Sequence, residues 1–104
     1  MIKFASMAFG LTLVGLISVP SSQSFAYTGE ELAKGAKIGI DDARAIALKA
    51  RPGTITTEEL EKEKGGSGLR YSFGIKSGGI LHEVGVDAQT GKVLENTKEG
   101  PHPD

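Results

Sequence analysis

Cysteine is absent from the 104 residues of this chain. The chain therefore forms no disulfide, and it offers no cysteine nucleophile. Its length suits one small domain, whose stability must come from a single small hydrophobic core. A core of that size leaves little room for a dry catalytic cleft, and we expect no enzyme activity and no cofactor.

An excess of positive charge is also missing. Lysine and arginine number 12 against 13 aspartates and glutamates, which gives a formal net charge of −1 at pH 7. Loss of Lys3 with the N-terminal segment described next would change this from −1 to −2. Proteins that bind nucleic acid concentrate positive charge on one surface, so we expect no nucleic-acid partner.

The longest apolar run, Phe4 to Val19, lies at the N-terminus. Lys3 precedes it, Pro20 ends it, and Ser24 and Ala26 are small residues at the −3 and −1 positions of a cleavage site. This pattern is typical of a secretory signal peptide and predicts residues 1–26 as one, with a periplasmic or secreted location and no membrane contact after cleavage. The alternative is a retained membrane anchor, for which about 20 apolar residues are usual.

Residues 27–37 are polar and contain Gly29 and Gly35, so we expect a flexible tether, with room for one helical turn after Thr28. A helix is predicted at Ile40–Ala50, because its apolar residues recur on one face and acidic residues occupy its first turn. Pro52 and Gly53 end that helix.

Two strands follow from clean alternation of apolar and polar residues, Leu69–Lys76 and Ile80–Asp87. A tight turn at Gly78-Gly79 would pair Phe73 with Val84 on the core face. The other face then pairs Arg70 with Asp87, Gly74 with Glu83, and Ser72 with Gly85, so that one register sorts both faces.

The next hairpin turns at Asp87–Gly91. A four-residue loop places Val93 opposite Val86, and a five-residue loop places Leu94 opposite Val84. Both arrangements stay open, and residues 99–104 are expected to be a disordered tail.

The segment Thr54–Lys64 is ambiguous. It starts a local helix pattern at Thr56, yet as a strand it would need a bulge for Ile55 and Leu60 to share a face. In either case the expected fold is α+β, with one N-terminal helix packed on an antiparallel sheet of three or four strands.

The order of these motifs resembles the PepSY domain over about residues 38–98. The resemblance is strongest in Val86-Asp87-Ala88-Gln89-Thr90-Gly91-Lys92-Val93-Leu94, and the helix followed by Pro52-Gly53 adds to it. It implies a helix on an antiparallel sheet, with Thr54–Lys64 as a strand. It also implies an inhibitory or folding-assisting role, as in the propeptides of thermolysin-like metallopeptidases, and it supplies no catalytic residues.

Two candidate metal sites are weak. Asp87 with Thr90 and Gly91 offers one carboxylate, whereas Ca²⁺ takes six to eight oxygen ligands, so we expect a turn. His82 and His102 are the only histidines. They lack metal-ligand spacing, and a small-ligand or metal-binding accessory protein is only the alternative hypothesis.

The predicted binding residues are Gly74, Gly85, Glu83 and Arg70, on the polar face of the sheet. Glycine inside a strand often marks a close approach of another backbone, so a bare patch there could receive a partner's chain; a bulged sheet is the alternative. The leading hypothesis is a non-catalytic exported module that binds a protein, either a peptidase or a membrane sensor, through this face or an edge strand. The sequence does not indicate the oligomeric state.

Overall fold

The computed structural model describes residues 26–100. All of the predicted signal segment except Ala26 lies outside this range, and so do residues 101–104 of the predicted tail. A 3₁₀ helix at Glu30–Gly35 is followed by α1 (Ile40–Ala50), β1 (Thr54–Lys62), β2 (Leu69–Ser77), β3 (Ile80–Asp87) and β4 (Val93–Lys98). The four strands form one antiparallel sheet in the order β1-β2-β3-β4. The predicted α+β fold is confirmed.

Helix α1 has the predicted bounds and packs by its small residues. Ala43 and Ala47 are fully buried, and their size lets the helix axis lie close to the sheet. Asp41 and Asp42 lie in the first turn, where the positive end of the helix dipole favours them.

The register of β2 and β3 is the predicted one, with Phe73 opposite Val84 and Gly74 opposite Glu83. Val86 faces Val93, as the four-residue loop requires. Strand β1 is a strand and not a helix, and its pairing with β2 is irregular between Ile55 and Thr57. That bulge allows Ile55 and Leu60 to share the face covered by α1.

The core lies between α1 and one face of the sheet. The buried apolar residues are Ala43, Ala47, Leu60, Tyr71, Phe73, Ile75, Val84, Val86 and Ala88. The Tyr71 hydroxyl donates a hydrogen bond to the Ile38 carbonyl at 2.7 Å, which satisfies the one polar atom of this buried side chain. Burial is the main reason why the pKa of Tyr71 rises to about 12.

Residues 27–37 are packed on the domain and do not form the expected tether. The Tyr27 ring lies 6.4 Å from the Tyr71 ring, and Leu32 packs against the core. Thr28 pairs with the outer edge of β1. The turn after Thr28 does form, but as a 3₁₀ helix whose N-cap is Gly29, without a side-chain cap.

Candidate functional site

The sheet has a second face, which no described helix covers. We call it the open face; its members by register are Thr54, Thr57, Glu59, Glu61, Arg70, Ser72, Gly74, Lys76, Leu81, Glu83, Gly85, Asp87, Glu95 and Thr97. All four predicted binding residues lie on this face. Its chemistry is dominated by carboxylates on three of the four strands.

Arg70 lies flat across the open face. Its Nη1 donates to Glu95 Oε1 at 3.3 Å and its Nη2 donates to the Lys64 carbonyl at 3.0 Å, so it links β2 to β4 and to the β1–β2 loop. A Cβ atom at Gly85 would lie only 3.1 Å from Arg70 Nη1. Gly85 therefore makes room for the guanidinium, and the backbone there is covered rather than bare.

Gly74 is explained by the bulge in β1. The Gly74 N–H donates to Thr57 Oγ1 at 3.1 Å, and Thr56 Oγ1 donates to the Gly74 carbonyl at 3.2 Å. A Cβ atom at Gly74 would approach Thr57 Oγ1 to 2.5 Å. The two threonine hydroxyls bond to the Gly74 backbone at the bulge, and only glycine leaves them space. A contact of Gly74 with a partner stays a prediction.

Glu83 lies at the centre of the negative charge on the open face. Burial raises the pKa of Glu83, and the carboxylates of Glu95, Glu99, Glu61 and Glu63 raise it further. A cavity of about 180 Å³ opens beside it, lined by Thr57, Glu59, Ser72, Phe73, Gly74, Glu83 and Glu99. Such a surface attracts lysine and arginine side chains.

The Asp87 carboxylate holds two loops together, and both of its oxygens accept hydrogen bonds from them. One carboxylate oxygen accepts from the Ser67 hydroxyl at 2.9 Å and from the Gln89 N–H at 2.8 Å, and the other accepts from the Ser67 N–H at 2.6 Å. Burial would raise the pKa of Asp87, but these bonds and one from Thr90 N–H outweigh it and lower the pKa to about 2. The turn interpretation accounts for all of these contacts without a cation.

His82 is buried on the helix-covered face, and its Nδ1 lies 3.1 Å from the Ile80 carbonyl. His102 lies outside the described residues. Within residues 26–100, no three His, Cys, Asp or Glu side chains are grouped so as to hold a metal ion. The alternative hypothesis of a metal-binding protein therefore gains no support from this part of the chain.

The sequence did not indicate two contacts at the β1 edge. Arg44 of α1 donates to both carboxylate oxygens of Glu58 in β1, with Nη2 to Oε1 at 3.0 Å. The Leu60 N–H donates to the Thr28 carbonyl at 2.8 Å, outside the sheet. Both contacts join residues that are distant in sequence. The charge-rich run around Glu58 is the one sequence feature that points to either of them.

The described residues contain no helix long and apolar enough to cross a membrane. The model of the PepSY family, described as peptidase propeptide and YPEB domain, matches residues 37–97. No curated protein and no solved structure matches the chain significantly. The family match takes in α1, the first three strands and nearly all of β4. Because it covers more than half of the chain and the fold agrees with it, this chain belongs to the PepSY family.

Proposed function

We propose that the chain is an exported, non-catalytic module that binds a peptidase and restrains it, with the open face as its contact. The observation that carries this proposal is an acidic sheet face, in a domain of the peptidase-propeptide family, that no helix among residues 26–100 covers. PepSY domains generally act as non-catalytic propeptide or inhibitor modules, and the resemblance points to thermolysin-like metallopeptidases.

Electrostatics favour a basic patch on the partner. Burial of Glu83 and four neighbouring glutamates oppose a negative charge on its carboxylate, and both raise its pKa. Lysine or arginine side chains of a partner would reduce that repulsion when they bind. The cavity beside Gly74 could receive one such side chain, with Glu59, Glu83 and Glu99 around it.

The proposed location is the periplasm or the exterior of the cell. The signal-like pattern of residues 1–26 supports it, and PepSY domains are commonly found there. A peptidase exported by the same cell would then share the compartment.

Affinity capture from the exported fraction of the source organism tests the proposal. The full chain is expressed with a C-terminal tag, and captured proteins are assayed for hydrolysis of a fluorogenic peptide. We expect a peptidase whose activity falls as the chain is added. Glu83→Lys should lose this partner because it reverses the charge at the centre of the open face.

Asp42→Lys is the matched control, since it reverses an exposed acidic charge on α1, away from the open face. It should retain the peptidase. Recovery of a sensor domain instead of a peptidase, or equal behaviour of the two variants, would contradict the proposal.

A further inference from the structure

The Glu83 carboxylate lies at the centre of the open face without a counter-charge directly beside it. By register Glu83 faces Gly74 of β2 and Thr97 of β4, and neither of these residues is charged. Glu83 is partly buried, and it forms no salt bridge with any residue in 26–100. Its immediate surroundings therefore oppose its negative charge.

The wider surroundings of Glu83 are acidic on every neighbouring strand but one. The charged groups that face it are Glu59, Glu61 and Glu63 from β1 and its end, Lys76 and Arg70 from β2, and Glu95 and Glu99 from β4 and its end, with Asp87 further along β3. Arg70 is already bound to Glu95 and to the Lys64 carbonyl. Lys76 is exposed and forms no salt bridge within residues 26–100. Carboxylates therefore outnumber cations around Glu83.

These surroundings raise the pKa of Glu83 above its ordinary value of 4.5, with burial as the largest cause and four glutamates after it. More than half of the Glu83 carboxyl groups are therefore protonated at pH 4.5. The fold tolerates that pH, because the pKa of Asp87 is about 2 and its stabilising charge is retained. Acid thus removes the charge at the centre of the open face without removing the charge that holds the loops.

The cavity beside Glu83 gives a partner's cation access to this carboxylate. It measures about 180 Å³, and its acidic lining residues are Glu59, Glu83 and Glu99. A lysine ammonium is compact and donates three hydrogen bonds, so it could contact Glu83 and a neighbouring carboxylate together. The ammonium binds the charged form of Glu83, and a proton removes that form. Lysine and proton therefore compete for the same group.

We propose that the open face is an acid-released contact, in which a lysine of the partner and a proton compete for Glu83. The partner binds near neutral pH and leaves as the pH falls toward 4.5. This inference rests on the proposed function, because it describes how the contact named there is regulated. The exported location makes the pH of the surroundings the signal.

The probe is acetyl-pentalysine-amide, whose ammonium groups keep their charge from pH 4.5 to pH 7.5. It is titrated into the ¹⁵N-labelled protein produced by export of the full chain, and the amide shifts of Gly74 and Glu83 are followed by NMR at both pH values. We expect binding to be about fivefold weaker at pH 4.5, because one carboxylate is discharged there. Addition of the peptide should also lower the pKa of Glu83, read from the ¹³C shift of its carboxyl carbon.

Two variants separate the competition at Glu83 from the general acidity of the face. Glu83→Gln keeps the shape of the side chain but has no charge to lose, so it should bind the peptide weakly and lose most of the dependence on pH. Glu59→Gln is the matched control, since it removes another partly buried carboxylate of the same cavity. It should weaken binding but keep the dependence on pH. A dispersed spectrum shows that each variant is folded.

The inference is overturned by absence of binding at pH 7.5, equal binding at the two pH values, or shifts centred on another face. The same dependence on pH in Glu83→Gln as in the unmodified protein would also overturn it. The two proposals fail separately. Acid-released peptide binding without capture of a peptidase means that the proposed function alone has failed, and a peptidase captured equally at pH 7.5 and pH 4.5 means that this inference alone has failed.

Discussion

Asp87 is the residue on which the connections of the sheet depend most. It lies at the end of β3, yet it binds both the backbone and the hydroxyl of Ser67, 20 residues away in the β1–β2 loop. The side chain is 1% exposed, so its hydrogen-bond partners must come from the protein. One carboxylate thus fixes the β3–β4 turn and anchors a glycine-rich loop.

Replacing Asp87 with alanine should destabilise the domain by about 3 kcal/mol, because it removes a buried carboxylate together with the four hydrogen bonds that it accepts. Urea unfolding followed by circular dichroism measures this. Ser67→Ala removes the hydroxyl contact with Asp87 and two longer ones with the Leu69 backbone, and should cost about 1 kcal/mol. An Asp87→Ala protein as stable as Ser67→Ala would show that the carboxylate contributes little beyond that contact.

The Asp87 carboxylate also makes the stability of the domain depend on pH in acid. The pKa of Asp87 is about 2 in the folded state, below the value of about 3.9 usual for an unfolded chain. Its stabilisation is therefore complete above about pH 4 and is lost as the pH falls toward 2. Asp87→Asn should be less stable than the unmodified protein at pH 7, and the difference should shrink over that window.

At the scale of elements, regular patterns predicted the structure well. The helix Ile40–Ala50 and the β2–β3 register follow from periodicity, because a one-residue slip would move every apolar side chain to the wrong face. The strand β1 could not be decided locally, because its bulge at Thr56 breaks the alternation that identifies a strand. The PepSY resemblance supplied that assignment.

The N-terminal segment shows why a tether was the wrong expectation. Its composition is polar and glycine-containing, and its stabilising contacts are with Tyr71 and Leu60, which are far away in sequence. Gly29 adopts φ +85°, and a Cβ atom there would collide with the Leu60 carbonyl oxygen. Glycine here permits a close approach of two backbones rather than flexibility.

Gly29→Ala should therefore detach this segment from β1. Gly78 is the matched control, since it also has a positive φ, +60°, but nothing lies within 4 Å of its would-be Cβ. Gly78→Ala should cost only the backbone strain of about 1 kcal/mol, and Gly29→Ala should cost clearly more. Hydrogen exchange at the Leu60 N–H should speed up in the Gly29 variant alone; equal exchange in both variants would argue against this role of Gly29.

At the scale of the whole molecule, the two faces of the sheet carry side chains of opposite character. The face under α1 holds the apolar core, and the open face holds glutamates around a single buried arginine. A domain of this size without disulfides has little stability to spare. We therefore expect charge repulsion among the glutamates of the open face to be a measurable fraction of the free energy of unfolding.

Glu83→Gln tests this balance. Glu83 faces Thr97, so Glu95 and Glu99 are its diagonal neighbours across the strands, and both raise its pKa after burial, the larger cause. Because the folded-state pKa is raised, the charged form costs stability as the pH rises above the unfolded value of about 4.3. The variant should be more stable than the unmodified protein at pH 7, by well under about 1 kcal/mol because solvent screens this partly exposed carboxylate, and equally stable near pH 3, where both states are protonated.

Thermal unfolding at the two pH values measures the difference, and Asp42→Asn should show no such gain because that carboxylate is exposed in the first turn of α1. If Glu83→Gln is no more stable than the unmodified protein at pH 7, the carboxylates of the open face do not repel one another measurably. If the gain is found together with weaker capture of the peptidase, then the acidic charge that lowers stability is the charge that binds the partner. If Glu83 had only a structural role, Glu83→Gln would not raise stability and weaken capture of the peptidase together.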